Sequence, residues 1–358
     1  MLKALCQSLC LSLPLAANAQ AASVVFLNPG LSNETFWVSY SRFMQAAADD
    51  LGLTLRVEYS ERSAERTLNQ ARALLKGPQR PDYLVLVNEQ YVAPEIIRLS
   101  QGTGVKLFLV NNGLTASQAQ SIEAQPEKYA QVLGTLITND EQAGYQMLHE
   151  MVALLPPSNE PVDLVAFAGV KTTPASQLRE AGMRRALADF PQVRLRQVVY
   201  GGWNRQRAFE QAQMLLQRYP GTRLVWSAND EMAFGAMQAF EAAGRIPGRD
   251  AVFSAVNSSP QALRARIDGR LGVLMGGHFT LGGWAMVMLN DDAQGLPINR
   301  DGRREHSVPV LQSIDPDKAR RWLKLLGRDD YGVDFRRYSA EGRPSDFQYP
   351  FLTSPVDY

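Results

Sequence analysis

The sequence alternates short apolar segments with helical patterns of roughly 10 to 15 residues along most of its length. The first unit is ASVVFLNPG, a strand that ends in a Pro-Gly turn, followed by a helical pattern from Trp37 to Ala48. The same order recurs, as in DYLVLVN before a helix at 93–102 and VDLVAFAGV before SQLREAGMRRALADF. Strands that alternate with helices in this way predict right-handed βαβ crossovers and parallel sheets. The fold class we expect is therefore α/β.

The number of predicted strands indicates two domains. Roughly ten strands are near the number at which an open twisted sheet splits, and 358 residues exceed the size of an ordinary domain. We expect two doubly wound parallel-sheet domains, with the chain crossing between them three times. The expected segments are an N-terminal lobe of 23–137 and 278–308, a C-terminal lobe of 138–277 and 309–328, and an extension of 329–358. The extension has no clear period, and it either wraps a domain or forms a frayed end.

The start of the chain has the features of a secretory signal. Lys3 is its one cation, an apolar run follows, and small residues at 17–19 predict cleavage after Ala19. A membrane anchor would need about 20 consecutive apolar residues, but this run is shorter and contains Pro14. Both cysteines lie inside this leader, so the mature chain would contain no thiol. We expect the protein to be exported.

Charge and motif searches exclude several classes of function. Without the leader, 36 basic residues face 36 acidic ones, so no net field favours a nucleic acid or an anionic membrane. His149, His278 and His306 are too scattered for a zinc pair. The segment AGVKTT lacks the first glycine of a phosphate loop, and neither Gly-x-Ser-x-Gly nor a dinucleotide-binding Gly-x-Gly-x-x-Gly occurs. We therefore expect no enzyme activity, no metal and no cofactor.

Amide and aromatic side chains recur where the predicted strands end. The loops concerned are SNETFW, VNNG, YGGWNR, SANDEM, AVNSS and GGHF. Asparagine can both donate to and accept from a hydroxyl group, and aromatic rings suit the C–H faces of a sugar. The alternatives are structural: such asparagines often cap helices, Trp37 could be core, Glu34 could favour a helix N-terminus, and His278 could be a surface or hinge residue. Together these loops predict a pocket for a small, polar, mostly uncharged molecule.

Two segments carry a family resemblance. NDEMAFGAMQAFEAAG at 229–244 and SQLREAGMRRAL at 176–187 resemble the type I periplasmic binding proteins of the ribose- and galactose-binding kind. The resemblance covers 23–315, and the family shares its fold with LacI-type repressors, whose helix-turn-helix has no counterpart before the first strand here. The ligand-binding residues that it implies are Glu34, Phe36, Trp37, Asn111, Asn112, Gln177, Trp203, Asn229, Asn257 and His278, with Gly277 as the alternative to His278.

The chain departs from the ribose binders of this family at several of these positions. They usually have Asp-Arg where this chain has Asn111-Asn112, an arginine in place of Gln177 and an aspartate in place of Asn257. We therefore expect fewer charge-assisted hydrogen bonds and a ligand other than a common pentose. The Phe36-Trp37 pair, Asn111 and the long extension also resemble the periplasmic autoinducer-2 receptor, although the arginines that such a pocket would use are not evident at the matching positions.

The resemblance implies a function by binding. It is that of a monomeric periplasmic solute-binding protein. Its two domains, joined by a three-strand hinge, close on a sugar or polyol in the cleft between them, and the protein delivers this ligand to an ABC-type permease. The second resemblance leaves an alternative, which is a receptor that signals through a membrane sensor kinase. No nucleic acid is expected as a partner.

Overall fold

The computed structural model describes residues 21–123, 126–158, 160–299, 302–328 and 330–351, so the predicted leader lies outside the described residues. The strands are β1 Ser23–Asn28, β2 Thr54–Tyr59, β3 Tyr83–Leu86, β4 Lys106–Asn111, β5 Val132–Thr138, β6 Val162–Ala168, β7 Val193–Tyr200, β8 Leu224–Ser227, β9 Val252–Val256, β10 Val273–Gly276, β11 Glu305–Val308 and β12 Gln312–Ser313. The helices are α1 Thr35–Leu51, α2 Ala64–Lys76, α3 Ala93–Ser100, α4 Ala116–Glu123, α5 Asp140–Ala153, α6 Pro174–Ala186, α7 Arg205–Arg218, α8 Asp230–Ala242, α9 Pro260–Ile267, α10 Leu281–Ala293 and α11 Pro316–Leu325.

The strands form two six-stranded sheets of the same topology. The first has the order β11-β5-β4-β3-β1-β2, and the second has the order β12-β10-β9-β8-β6-β7. Among the described strands, every pair is parallel except the antiparallel pair of β10 and β12. In each sheet the strand order reverses beside the first strand of that lobe, which opens a crevice at the carboxyl ends of the strands. The predicted α/β fold with two doubly wound sheets is confirmed.

The chain passes between the two sheets at the three predicted places. These are after β5, after β10 and between β11 and β12. Asn139 ties the first and third passages together, because its amide nitrogen donates to the Leu311 carbonyl at 3.0 Å and its amide oxygen accepts from the Leu311 N–H at 2.9 Å. The predicted lobe boundaries follow these passages, and we keep them as a proposal.

Each sheet is covered by helices on both faces, as the first strand illustrates. In β1, Val24 and Phe26 belong to the apolar cluster that includes α1 and α10, whereas Val25 and Leu27 pack into the cluster of α2 and α3. All four side chains are buried. A strand that is covered on both faces is apolar at consecutive positions, which explains the continuous run in the sequence.

The C-terminal extension packs on the first lobe. Tyr331 and Phe335 contact the ring of Phe43 in α1, with ring centroids 5.0 and 5.3 Å apart, and Tyr338 contacts Trp284 in α10 at 5.3 Å. Tyr331 and Phe335 are only 2% exposed. Of the two alternatives for the extension, the wrapping one therefore holds for residues 330–351.

A buried carboxylate anchors the end of this extension. Asp291, in the last turn of α10, accepts hydrogen bonds from the Ser339 hydroxyl, from the Ala340 N–H at 2.7 Å and from the Tyr349 hydroxyl at 2.7 Å. The Asp291 side chain has no exposed surface. Because all three donors belong to the extension, it supplies the hydrogen bonds that this buried charge needs.

Candidate functional site

A cavity of about 380 Å³ lies between the two lobes, at the carboxyl ends of their strands. Its lining consists of Glu34, Phe36, Trp37, Arg62, Glu89, Asn111 and Asn112 from the first lobe, Thr173, Ala175, Arg179, Trp203, Asn229 and Asn257 from the second, and His278 from the passage between them. The position is the one that doubly wound sheets offer to ligands.

Nine of the ten residues predicted for the site lie in this lining, and Gln177 does not. The Gln177 amide nitrogen donates to the Tyr91 hydroxyl at 2.7 Å and to the Lys171 carbonyl at 3.0 Å, outside the cavity. The inward face of α6 carries Ser176 and, three residues later, Arg179, so Gln177 points to one side. That the other nine contact a ligand stays a prediction.

Five lining residues were not among the predicted ones. They are Arg62, Glu89, Thr173, Ala175 and Arg179. Four of them follow strand ends and could have been found by the same rule, had it included charged and small residues as well as amides and aromatics. Arg179 lies more than one turn inside α6, so no strand-end signal marks it.

Arg62 and Arg179 line the cavity, although no arginine was evident at the positions matched from the sequence. Arg179 is the more deeply buried of the two. Its Nε donates to Asp140 at 2.6 Å and its Nη1 donates to the Ala228 carbonyl at 2.7 Å, and both charged side chains are buried. Two glycines allow this contact, because a Cβ on Gly144 or Gly182 would lie 2.0 or 1.9 Å from the backbone of the opposite helix. Close packing of α5 on α6 thus brings Asp140 to Arg179.

A second ionic group lines the first lobe. The Arg62 guanidinium donates from Nε to Glu34 at 3.0 Å and from Nη1 to Glu89 at 3.2 Å. Burial raises the pKa of Glu89, while the charge of Arg62 and a hydrogen bond from Thr173 oppose that rise. Glu34 is the N-cap residue of α1 but makes no side-chain capping bond. Its carboxylate accepts from Arg62 and from the Leu31 N–H at 3.2 Å, and its position remains compatible with the helix-start alternative.

Trp203 is held in the cavity by an unusual backbone. Its φ is 64°, and that of Gly202 before it is 65°. A bulky residue in the left-handed region costs roughly 1 to 3 kcal/mol, and such residues cluster at functional sites. Gly169 leaves room for the ring, since a Cβ there would lie 2.1 Å from it. The indole therefore forms one wall of the cavity, with the Arg179 guanidinium 5.9 Å from its centroid.

Two buried polar atoms of the lining have no partner within the described residues. They are Asn111 Oδ1 and His278 Nδ1. His278 is buried and stacks on Phe36 with centroids 4.4 Å apart, so the interpretation as a surface residue is wrong. Burial, together with the charge of Arg179, holds the pKa of His278 well below 6.5, and the ring is neutral at pH 7. A buried polar atom left unpaired costs about 1 to 3 kcal/mol, which a ligand hydroxyl would recover.

Asn229 has a structural role in addition to its place in the lining. Its side-chain oxygen accepts from the Met232 N–H at 2.9 Å and so caps α8. Asn229→Ala should therefore lower the free energy of unfolding by about 1 kcal/mol, whereas Asn229→Asp should keep the cap and most of the stability. Urea denaturation of both variants checks this. Equal losses in the two variants would show that the cap is not the cause.

Asp230 lies directly behind the cavity. It accepts from the Asn257 amide at 2.6 Å and from the Ser259 hydroxyl at 2.5 Å, and so holds the Asn257 side chain in place. Burial raises the pKa of Asp230 to about 6, and the nearby Glu231 adds to the rise. In the unfolded chain an aspartate has a pKa of about 3.9.

This shift predicts a pH dependence of stability. Because the folded state binds the proton more tightly, the contribution of Asp230 is fully present below about pH 4 and is lost as the pH rises through about 6. A shift of about two units corresponds to roughly 3 kcal/mol. The unfolding free energy of the wild type, measured relative to Asp230→Asn, should fall by about that amount between pH 4 and pH 7. A difference that stays constant with pH would contradict the assignment.

Searches of the described residues for two other kinds of site found no candidate. Within residues 21–123, 126–158, 160–299, 302–328 and 330–351, no group of three or more His, Cys, Asp or Glu side chains could hold a metal ion. In the same part of the chain, no helix combines the length and the apolar character that crossing a bilayer requires.

The chain is similar to known proteins along most of its length. The family model described as a periplasmic binding protein domain matches residues 24–296. The crystal structure of a periplasmic sugar-binding protein from Pseudomonas fluorescens is 58% identical, covers 92% of this chain and 98% of that chain, and has a TM-score of 0.85.

More distant relatives match as well. The ribose import binding protein RbsB of Escherichia coli K12 is 24% identical over 273 residues, which are 75% of this chain and 84% of that protein. The binding protein of the arabinose ABC transporter from Shewanella sp. ANA-3 is 20% identical, covers 86% of this chain and 96% of its own, and has a TM-score of 0.72. The two sheets, the cavity between them and the family match agree: this chain belongs to the type I periplasmic binding protein family.

Proposed function

We propose that this protein is a periplasmic solute-binding protein that captures a small sugar-like ligand by closing its two lobes. One observation carries the proposal: a single cavity, with walls from both lobes, combines aromatic faces with unpaired hydrogen-bonding groups. The proteins named above as sugar-, ribose- and arabinose-binding support it. They support a sugar as the class of ligand but do not identify which sugar this chain binds.

The lining offers complementary partners to a polyhydroxylated molecule. Asn111 Oδ1 can accept from a hydroxyl group, and neutral His278 can donate or accept at Nδ1 according to its tautomer. Phe36 and Trp203 offer apolar ring surface to the C–H faces of a sugar. A ligand that contacts both lobes binds the closed form better than the open form, so it shifts the population toward closure.

Delivery of the ligand is the finer part of the proposal. We propose that the chain is exported by its leader, acts as a monomer, performs no catalysis and presents its closed outline to an ABC-type permease. A membrane sensor kinase is the other receiver that the sequence leaves open. Neighbouring genes that encode a permease would support delivery, and a histidine kinase gene in their place would favour signalling.

A thermal-shift screen of the mature chain tests the binding function. The ligands are sugars, polyols, nucleosides, amino acids and autoinducer-like diols. A ligand at 100 times its dissociation constant adds about 2.7 kcal/mol to the stability, which a melting curve detects. We expect a clear shift with a sugar or polyol. No shift with any sugar or polyol, or a shift confined to amino acids or nucleosides, would contradict the proposal.

Replacing Trp203 tests the aromatic wall. Trp203→Ala should weaken binding of the sugar found in the screen by about 1 to 2 kcal/mol, because the ring's contact surface is lost. Trp203→Phe keeps an aromatic face and should lose less. Titration calorimetry of both variants measures the difference. Unchanged affinity in Trp203→Ala would remove the ring from the site.

A further inference from the structure

Among the described residues, three direct hydrogen bonds join the lobes around the cavity. The Thr173 hydroxyl donates to Glu89 at 2.9 Å, and the Ala175 N–H donates to the Asn112 side-chain oxygen at 2.9 Å. The third runs from the Gln177 amide to the Tyr91 hydroxyl, described above. In each bond one partner follows a strand of the first sheet and the other lies at the start of α6 in the second lobe. These bonds connect protein to protein and need no ligand.

Glu89 is the charged member of this set. On the first lobe it is paired with Arg62 at 3.2 Å, and on the second lobe it accepts from the Thr173 hydroxyl. Only 5% of its side chain is exposed. A carboxylate buried in this way is stable only when it is paired and hydrogen-bonded, and part of that set comes from each lobe.

The two residues that follow Glu89 have a strained backbone. Gln90 and Tyr91 have φ values of 51° and 63°, in the left-handed region that residues other than glycine rarely adopt. Two consecutive residues of this kind turn the chain sharply after β3, at the mouth of the crevice. A strained backbone of this kind persists only where surrounding contacts hold it in place, and such residues cluster at functional sites.

We propose that Glu89 is a positioning residue that fastens Thr173 of the second lobe to the first lobe, so that the closed cleft assembles before a ligand is bound. The proposal rests on the proposed function only in that the closed form is the one that binds the ligand. In ligand-free protein, a measurable fraction of molecules is then closed. The ligand binds that fraction, and its apparent dissociation constant rises as the fraction falls.

The test measures the distance between the lobes without any ligand. Because the predicted mature chain has no cysteine, spin labels can be placed at Glu65→Cys and Gln206→Cys alone. Both positions are exposed and lie in the first turns of α2 and α7, which start at strand ends on the side of the cleft. Electron double resonance then reports the closed distance of this structure and any longer, open distance as separate populations.

Variants at Thr173 separate the interlobe bond from the fold. Thr173→Val keeps the shape and removes the hydroxyl, and Thr173 makes no side-chain cap to α6 that would be lost with it. We expect the closed-to-open ratio to fall by roughly fivefold, as expected for one hydrogen bond. Glu89→Ala should lower the ratio at least as far. Thr173→Ser keeps the hydroxyl donor and loses the methyl group, so it should show the wild-type closed-to-open ratio. If the side chain mattered only for its shape, Thr173→Ser would lower the ratio and Thr173→Val would not.

Two results would overturn the proposal. One is a ligand-free wild type with no population at the closed distance. The other is a closed-to-open ratio that Thr173→Val and Glu89→Ala leave unchanged while both melt as the wild type does. Because no ligand enters the measurement, its outcome is independent of the thermal-shift screen, and failure of one does not imply failure of the other.

Discussion

A chain that ends at Arg328 should unfold with a free energy about 5 kcal/mol lower than that of the full chain, or more. Tyr331, Phe335 and Tyr349 are buried in the structure, and each buried aromatic side chain contributes about 1.5 to 3 kcal/mol. Truncation also removes the three donors of Asp291. Urea denaturation of the two chains, followed by circular dichroism, measures the difference.

A point variant provides the matched control for this truncation. Tyr349→Phe removes one hydroxyl group from Asp291 and leaves the ring in place, so it should cost roughly 1.5 to 3 kcal/mol, the usual value for a hydrogen bond to a charged group. Truncation should cost clearly more than this variant. If the truncated chain unfolds at the same urea concentration as the full chain, the extension does not stabilise the first lobe.

Arg179→Met should lower the stability by about 3 to 5 kcal/mol, because it leaves Asp140 as a buried carboxylate without its cation. The loss should appear in urea denaturation without any ligand. Affinity for the sugar should fall too, since the guanidinium lines the cavity and lies over Trp203.

The double variant Arg179→Met with Asp140→Leu controls for the cause of that loss. Replacing a buried ion pair by apolar residues of similar size is often neutral, so the double variant should regain much of the stability. A double variant no more stable than Arg179→Met would show that the lost hydrogen bond to Ala228, not the unpaired charge, dominates. An Arg179→Met protein as stable as the wild type would contradict the account of the pair.

The sequence predicts the fold because each strand carries its own signal. Buried parallel strands such as β3 are continuously apolar, and the helices between the strands show the 3.6-residue period. The short strands β11 and β12 are exceptions, because neither carries a recognisable apolar pattern. They span four and two residues, so they give too little pattern to detect.

The candidate site is predictable only where the residue type and the strand end coincide. Asn111, Asn229 and Asn257 meet both conditions and lie in the lining. Arg179 and Asp140 meet across two packed helices, and no single-chain pattern reveals that contact because it depends on tertiary approach. This is also why no pocket arginine was evident from the sequence.

The extension shows a different limit. Its buried residues contact two different helices: Tyr331 and Phe335 pack on α1, and Tyr349 bonds to Asp291 in α10. They therefore do not form one face of a single helix or strand. A segment that wraps a surface in this way has no helical or strand period. Its composition is therefore compatible with both a wrapping and a frayed end.

The most direct test of the central claim is a crystal structure of the mature chain with the sugar that gives the largest thermal shift. The account predicts one sugar molecule between the lobes, with a hydroxyl on Asn111 Oδ1 and a ring face against Trp203. A sugar bound outside this cavity, or one that contacts a single lobe while the cleft stays open, would contradict it.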